Sequence, residues 1–234
     1  MKSFKVAMLA AAATIAMGGA AFAEEADPFA VSFNVGAATD YIFRGITNTN
    51  NNPQMYGGAD ATIMGIGYAG VWVSNVDFGN STDFEYDLYA GVKPTLGPVA
   101  FDLGVIYYGY NNKPSGPDEA YVEWKAAASV PVGPASIGAA VYYSDDFFGE
   151  TGKATYYEVN GSMPIADTKF SVSGALGHQD VVGPLDYTTW NLGVGYALTD
   201  HVTFDLRYWD TDADEDTFGK LYQAQVVGGV KVSF

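Results

Sequence analysis

From Phe29 onward the chain alternates apolar and polar residues in short runs. The clearest covers 82–93, where Phe84, Tyr86, Leu88, Ala90 and Val92 interleave with Asp83, Glu85, Asp87, Tyr89, Gly91 and Lys93. Side chains of a strand point to opposite faces with period two, so this run predicts a strand with one apolar and one polar face. The run at 118–130 repeats the scheme: Ala120, Val122, Trp124, Ala126 and Ala128 interleave with Glu119, Tyr121, Glu123, Lys125 and Ala127. Twelve segments read this way: 29–45, 54–64, 66–76, 82–93, 99–110, 118–130, 135–144, 154–163, 168–177, 187–198, 202–209 and 220–234. The least clear is the third, where GYAGVWVSNV places small or apolar residues on both faces.

Charge tests this assignment, because each apolar face is set from its hydrophobic residues alone. Apart from the terminal positions Asp118 and Lys220, the strands hold Asp40, Arg44, Asp60, Asp83, Glu85, Asp87, Lys93, Asp102, Glu119, Glu123, Lys125, Glu158, Lys169, Asp205, Arg207 and Lys231, and all sixteen fall on the other face. The connections alternate as well. Those after odd-numbered strands (46–53, 77–81, 111–117, 145–153, 178–186 and 210–219) are longer and mostly polar; those after even-numbered strands are tight, as in PTLGP, PVGP, PIAD, TDH and the corner at Gly65. Long loops on one rim, short turns on the other and an even strand count predict a 12-stranded antiparallel transmembrane β-barrel of the outer membrane.

Aromatic placement agrees. On the apolar faces, Phe29, Phe101, Phe170, Tyr196, Phe204 and Phe234 lie toward the short-turn rim, and Tyr41, Phe43, Tyr107, Tyr143, Tyr157, Trp190 and Tyr208 toward the long-loop rim. Interfacial girdles of this kind mark a membrane barrel, whereas a soluble β-sandwich has no need of aromatics at both ends of its apolar faces. The last strand ends VVGGVKVSF with Val226, Val230, Val232 and Phe234 on the apolar face, resembling the terminal strand through which bacterial barrels meet the barrel-assembly machinery.

Composition narrows the function. Lys2 and Lys5, an apolar run from Val6 to Met17 and Ala21-Phe22-Ala23 predict a secretory signal peptide over 1–23, exported by the Sec route, with a single domain over 24–234. No other run approaches the roughly 18 apolar residues a spanning helix needs. Without Lys2 and Lys5 the formal charge of -16 becomes -18, which disfavours nucleic acid as a partner. The absence of cysteine excludes disulfides, zinc-thiolate sites and thiol nucleophiles. The expected surroundings are outer-membrane lipid and lipopolysaccharide of a Gram-negative cell, and no cofactor is called for.

ATDYIFRGITNTNNNPQMYGGAD, together with YAGVWVSNVDF, EYDLYAGV and FDLGVIYYGY, resembles the TorF family of proteobacterial outer-membrane proteins, most densely from Ala38 to Tyr110. The resemblance implies a barrel with a porin role, no defined substrate and no catalytic residues.

If the apolar faces meet lipid, the sixteen charges line the lumen, ten acidic and six basic. Inner faces are slim on four strands: Ala30, Ser32, Asn34, Gly36 and Ala38; Ser136, Gly138 and Ala140; Ser171, Ser173, Ala175 and Gly177; Asn191, Gly193, Gly195 and Ala197. A narrow, acidic, off-centre pore for small solutes or ions is expected, unplugged, since no predicted connection exceeds about ten residues. Carboxylates toward the outer half, and Lys93, Lys169 and Lys231 near the short turns, predict cation preference and asymmetric conductance. Charges that merely pair across the lumen would instead give a closed structural or adhesive barrel. In the first strand, parity sends Asp40, Ile42 and Arg44 inward, with Asp60 as a candidate partner for Arg44, and Tyr41 and Phe43 toward lipid.

Other chemistry is weaker. His178 stands two residues from Asp180, and Asp145 with Asp146 tops the seventh strand, so an outer-membrane protease built on aspartates and a histidine is the enzyme alternative. A lipase needs a lipid-facing serine and histidine that the pattern does not place. His201 lies in a short turn. In DTDADEDTFGKL, Asp210, Asp212 and Asp214 alternate like calcium ligands, but Glu215 stands where an EF-hand needs glycine and Leu221 where it needs glutamate.

Overall fold

The computed structural model describes residues 28–183, 186–214 and 219–234. The expected signal peptide, residues 24–27 of the domain and part of the acidic loop after Asp210 lie outside the described residues. Twelve long strands are present among them: β1 (Phe29–Ala38), β2 (Gln54–Ile63), β3 (Gly67–Asn75), β4 (Phe84–Val92), β5 (Val99–Tyr110), β6 (Tyr121–Val132), β7 (Ala135–Ser144), β8 (Ala154–Pro164), β9 (Phe170–Val181), β10 (Tyr187–Ala197), β11 (Val202–Thr211) and β12 (Gln225–Ser233). Each pairs antiparallel with its neighbours in sequence, and β1 pairs with β12 through Asn34↔Ser233 to Ala38↔Gly229. The sheet therefore closes, leaving no edge along the barrel.

The expected alternation sets the two surfaces. Along β4, Phe84, Leu88 and Val92 are exposed on the outside, while Glu85 and Asp87 are buried inside. Phe33, Trp124, Val159, Leu192 and Leu206 continue the same outer belt. An apolar surface that encircles the molecule suits hydrocarbon rather than water. A slip of one residue would reverse every side chain, so the pattern fixes register. The two rims also fall as expected: 64–66, 93–98, 133–134, 165–169 and 198–201 form short turns at one end, and longer connections stand at the other. Met64 and Gly65, at φ 51° and 67°, make the tightest corner.

The first connection departs from expectation. β1 stops at Ala38 rather than running on to residue 45. Thr39 still binds Gly228 (Thr39 N–H to O, 2.9 Å; Gly228 N–H to Thr39 Oγ1, 3.1 Å), and then the chain turns inward. Ile42–Phe43 pairs with Ile46–Thr47 in a small hairpin. Tyr41 and Phe43 are only 6% and 9% exposed, so they do not belong to the lipid girdle. They join Trp72, Val76, Tyr108, Tyr110 and Tyr121 in a cluster that fills part of the interior. Tyr41 meets Trp72 edge-on at 5.4 Å between centroids, and Tyr108 stacks on Tyr121 at 4.4 Å. Such pairs add about 0.5–1.5 kcal/mol each beyond area burial. The segment alternates like a strand, but its apolar residues are satisfied by rings inside the barrel. The connection thus spans 39–53 and folds inward, against the expectation of no inserted loop.

Slim inner positions turn out to be seats for large side chains. A Cβ on Gly70 would lie 2.4 Å from Cε2 of Tyr89, and one on Gly177 2.0 Å from the Tyr156 hydroxyl. Tyr68 likewise covers Gly91 and Gly104, and Arg207 covers Gly193. On the strands expected to be slim, Tyr156 over Gly177 and Arg207 over Gly193 therefore take up space that the small residues alone would have left open.

Candidate constriction site

The hairpin turns at Arg44 and Gly45, with φ of 51° and 87°, the signs of a type I′ two-residue turn. Asp40 ties its base: Thr47 and Thr49 hydroxyls both donate to Asp40 Oδ1 at 2.6 Å. Tyr41 O–H donates to Glu85 Oε1 on β4 at 2.7 Å. At the far end, a Cβ on Gly45 would lie 2.4 Å from Thr189 Oγ1 of β10 and 2.5 Å from a Thr211 methyl of β11. The hairpin therefore crosses the lumen from β4 to β10 and β11, and only glycine fits at its tip.

Arg44 is the centre of the site. Its Nη1 and Nη2 donate to Glu123 Oε1 and Oε2 at 2.8 and 2.7 Å, and Nη1 also donates to Gln179 Oε1 at 3.0 Å. Tyr108 O–H donates to Glu123 Oε2 at 3.1 Å. The guanidinium carbon lies 4.3 Å from the Tyr156 ring centroid, 4.6 Å from Phe43 and 4.9 Å from Tyr142. A planar fork on a carboxylate, enclosed by rings, is the geometry in which arginine is not interchangeable with lysine. Asp60, the candidate partner, instead accepts from Tyr89 O–H at 2.6 Å.

Around this pair the interior is mostly acidic. Asp87 is buried on β4 with Oδ1 unpartnered among the described residues, as is Oδ2 of Asp40. Glu119, just before β6, accepts from Asn80 and Thr82, and Glu158 accepts from Tyr156 and Asn160. Lys125 pairs with Asp102 at 2.7 Å, and Asp102 also accepts from Tyr68 O–H. Arg207 donates to Asp205, Asn191 and Ser173. Lys93 sits over the Tyr68 ring, Lys169 donates to the Leu198 carbonyl near the short turns, and Lys231 is half-buried on β12. Asp83 lies outside β4 on the exposed rim, near Asn112. Asp40, Arg44, Asp83, Lys93, Glu119 and Lys169 are thus in connections rather than in the strands where the alternation places them, because the observed strands are shorter at those ends.

Gln179, Tyr108, Tyr142, Tyr156, Thr189 and Thr211 complete the site but carry no charge that would have singled them out. Inner-face parity marks them, but Gln179 and Thr211 lie past the expected ends of the ninth and eleventh strands, 177 and 209, which in the structure reach Val181 and Thr211. A sharper signal was IFRGIT, two short apolar pieces around a residue followed by glycine, which reads as a tight hairpin.

The other candidates do not assemble. His178 is exposed on the outer face of β9, with Nδ1 3.2 Å from Thr188 Oγ1. Asp145 accepts from Tyr143 O–H and Asp146 from the Gly152 N–H. His201 Nδ1 lies 2.8 Å from the Ser233 carbonyl. Asp210 accepts from Tyr208 O–H of its own strand and Asp212 from the Thr188 N–H of β10, so both are engaged within the barrel wall. Among the described residues, no three His, Asp or Glu side chains converge to hold a metal ion. In the outer connection 111–120, the hydrogen bond from Lys113 holds the exposed Asp118 carboxyl below its ordinary range.

The architecture has solved counterparts. The KdgM porin superposes with a TM-score of 0.63 at 8% identity, covering 87% of this chain and 99% of that one. The NanC porin gives 0.59 at 10% identity, covering 88% and 99%. An outer-membrane channel from Pseudomonas putida F1 gives 0.55 at 12% identity, covering 89% and 96%. At these identities the likeness is one of fold, that of a closed outer-membrane barrel. No curated protein matches the chain by sequence. The family model described as "Bacterial protein of unknown function (Gcw_chp)" matches residues 22–234, and the chain therefore belongs to the Gcw_chp family.

Proposed function

We propose that this chain is an outer-membrane channel for small cations and small neutral solutes, with the inward hairpin 39–53 as its constriction. The observation that carries the reading is the hairpin itself, a polar turn held across a closed barrel at Arg44 and Glu123. Loops folded into a barrel narrow it without disturbing the strands, and charged rings in a pore select by sign. Near the constriction the buried carboxyls Asp40, Glu85, Asp87 and Glu123 outnumber the cations Arg44 and Lys125, both of which lie against the Tyr142 ring, and this excess supports a negative field. One structural neighbour is a KdgM porin in complex with disordered oligogalacturonate; a polyanion of that kind would meet repulsion here, which favours cationic or neutral solutes.

This reading includes the TorF resemblance, Sec export with removal of residues 1–23, assembly through the strand ending at Phe234, and contact with lipopolysaccharide at the long-loop rim. The lumenal charges set out from the sequence are its selectivity elements, and no enzymatic step belongs to it. A closed structural barrel is the second reading, favoured by the aromatic cluster that fills part of the interior. Planar-bilayer recording separates them. A channel gives conductance steps with cation-selective reversal potentials, and replacing 42–47 by a short glycine-serine link raises the conductance. Silence in the native chain, with steps only after that replacement, supports the closed barrel; anion selectivity overturns the proposed sign.

A further inference from the structure

We propose that the wall pocket formed by Glu123, Gln179, Tyr142 and Tyr156 is a binding site for guanidinium-type organic cations, and that Arg44 occupies it as a tethered ligand. The inference deepens the channel reading and rests on it for the route by which a solute reaches the pocket.

The pocket and its occupant belong to different parts of the chain. Glu123, Gln179, Tyr142 and Tyr156 stand on β6, β9, β7 and β8, fixed by the ladders of the barrel. Arg44 arrives on a connection that is not part of the wall. The wall side is complete without it: Glu123 offers both oxygens, Gln179 a third acceptor, and two tyrosine rings flank the space. Tyr108 O–H donates to Glu123 Oε2 at 3.1 Å and Gln179 Nε2 to the Thr155 carbonyl at 3.5 Å, so the wall itself orients these acceptors, which are 1% and 2% exposed with Arg44 seated. Two in-plane acceptors with aromatic faces beside them match a guanidinium, which donates in a plane and stacks on rings. A potassium ion cannot use the fork or the rings to the same degree. The unpartnered Asp87 Oδ1 is a further buried acceptor in the acidic interior. The backbone at Arg44, with φ 51°, lies where glycine is favoured over arginine, so the side chain is presented at a conformational cost that its contacts offset.

This makes the hairpin a competitor. A free guanidinium solute and Arg44 exclude each other, and a solute that takes the pocket leaves the hairpin tip without its anchor.

Two measurements test it. Arg44→Gly suits the left-handed turn and empties the pocket. In detergent, methylguanidinium chloride is titrated calorimetrically into the folded native chain, Arg44→Gly, and Arg44→Gly with Glu123→Gln, with potassium chloride as the control. The expected result is saturable binding by Arg44→Gly about tenfold to a hundredfold tighter than by the native chain or the double variant, the range that hydrogen bonds to a charged group imply. Equal binding by all three, or equal heats from potassium, overturns the proposal. The second measurement uses the native chain and so does not depend on the variant folding: methylguanidinium should speed chymotryptic cleavage after Phe43 relative to potassium at the same ionic strength, and identical rates overturn the competition. Conductance steps without methylguanidinium binding remove the pocket and leave the channel standing; binding with no steps in any variant keeps the pocket and removes the channel.

Discussion

Glu123→Gln places the load on one contact. The native carboxylate accepts from both Arg44 nitrogens at 2.8 and 2.7 Å and from Tyr108 at 3.1 Å, in a site where Arg44 is 5% and Glu123 1% exposed. The amide keeps the shape but offers one acceptor and turns a donor toward the guanidinium, leaving a buried positive charge held by Gln179 and the rings. Removing one partner of a buried pair costs about 3–5 kcal/mol. The cost falls on docking of the hairpin, because the β1–β12 ladder that closes the barrel does not involve Glu123. When opening and closing are fast relative to cleavage, protease attack follows the open population, so trypsin should cut after Arg44 about 10²- to 10⁴-fold faster in the variant. Mass spectrometry identifies that cut among cuts at the outer loops, and heat-modifiable migration on gels shows that the barrel stays closed. Bilayer recordings of the same protein should show larger or more frequent openings. A variant as resistant at Arg44 as the native chain, with unchanged conductance, would refute the argument that this pair holds the constriction.

Three further outcomes follow from other parts of the wall. Gly70→Val inserts side-chain atoms where a Cβ alone would lie 2.4 Å from the Tyr89 ring, so Tyr89 must leave the wall and its bond to Asp60; urea unfolding should show a loss of about 1–3 kcal/mol, while an unchanged midpoint would mean that the ring does not need the glycine. Leu192→Arg puts a charge on a side chain that is 61% exposed on the outer face of β10; refolding into lipid bilayers should be less favourable by about 2–4 kcal/mol if it sits near the midplane, and no loss would contradict a lipid-facing belt. Lys113→Ala should return the Asp118 carboxyl upward toward its ordinary range in an NMR titration, because the hydrogen bond from Lys113 is the largest cause of its depression.

The barrel was legible because alternation depends only on local geometry: a strand with one lipid face and one lumenal face must change polarity at every residue. That rule fixed which side Glu123, Lys125 and Asp102 occupy without knowing their partners. It failed at Asp40 to Arg44, because period two records a difference between faces and not what lies beyond each face. An interior lined by Trp72, Tyr108 and Tyr121 receives Tyr41 and Phe43 as readily as lipid would. Pairings were less legible than faces, since Asp60 and Glu123 look alike in sequence and only register and loop path decide which meets Arg44. The glycines of the inner wall misled for a related reason: a missing side chain can leave space for solvent or for a neighbouring tyrosine.

The hairpin also bears on the order in which the molecule can be built. Arg44 enters the chain early, yet its hydrogen bond to Gln179 spans 135 residues, and Gly45 packs against Thr189 and Thr211, which are synthesised later still. Closing so long a loop carries an entropic cost that must be met before the contact can contribute, so these contacts form late in folding. A chain whose last strands have not yet curled round presents no seat for the tip. Protection of Arg44 from protease can thus serve as a clock hand for assembly, changing only when the opposite wall has arrived.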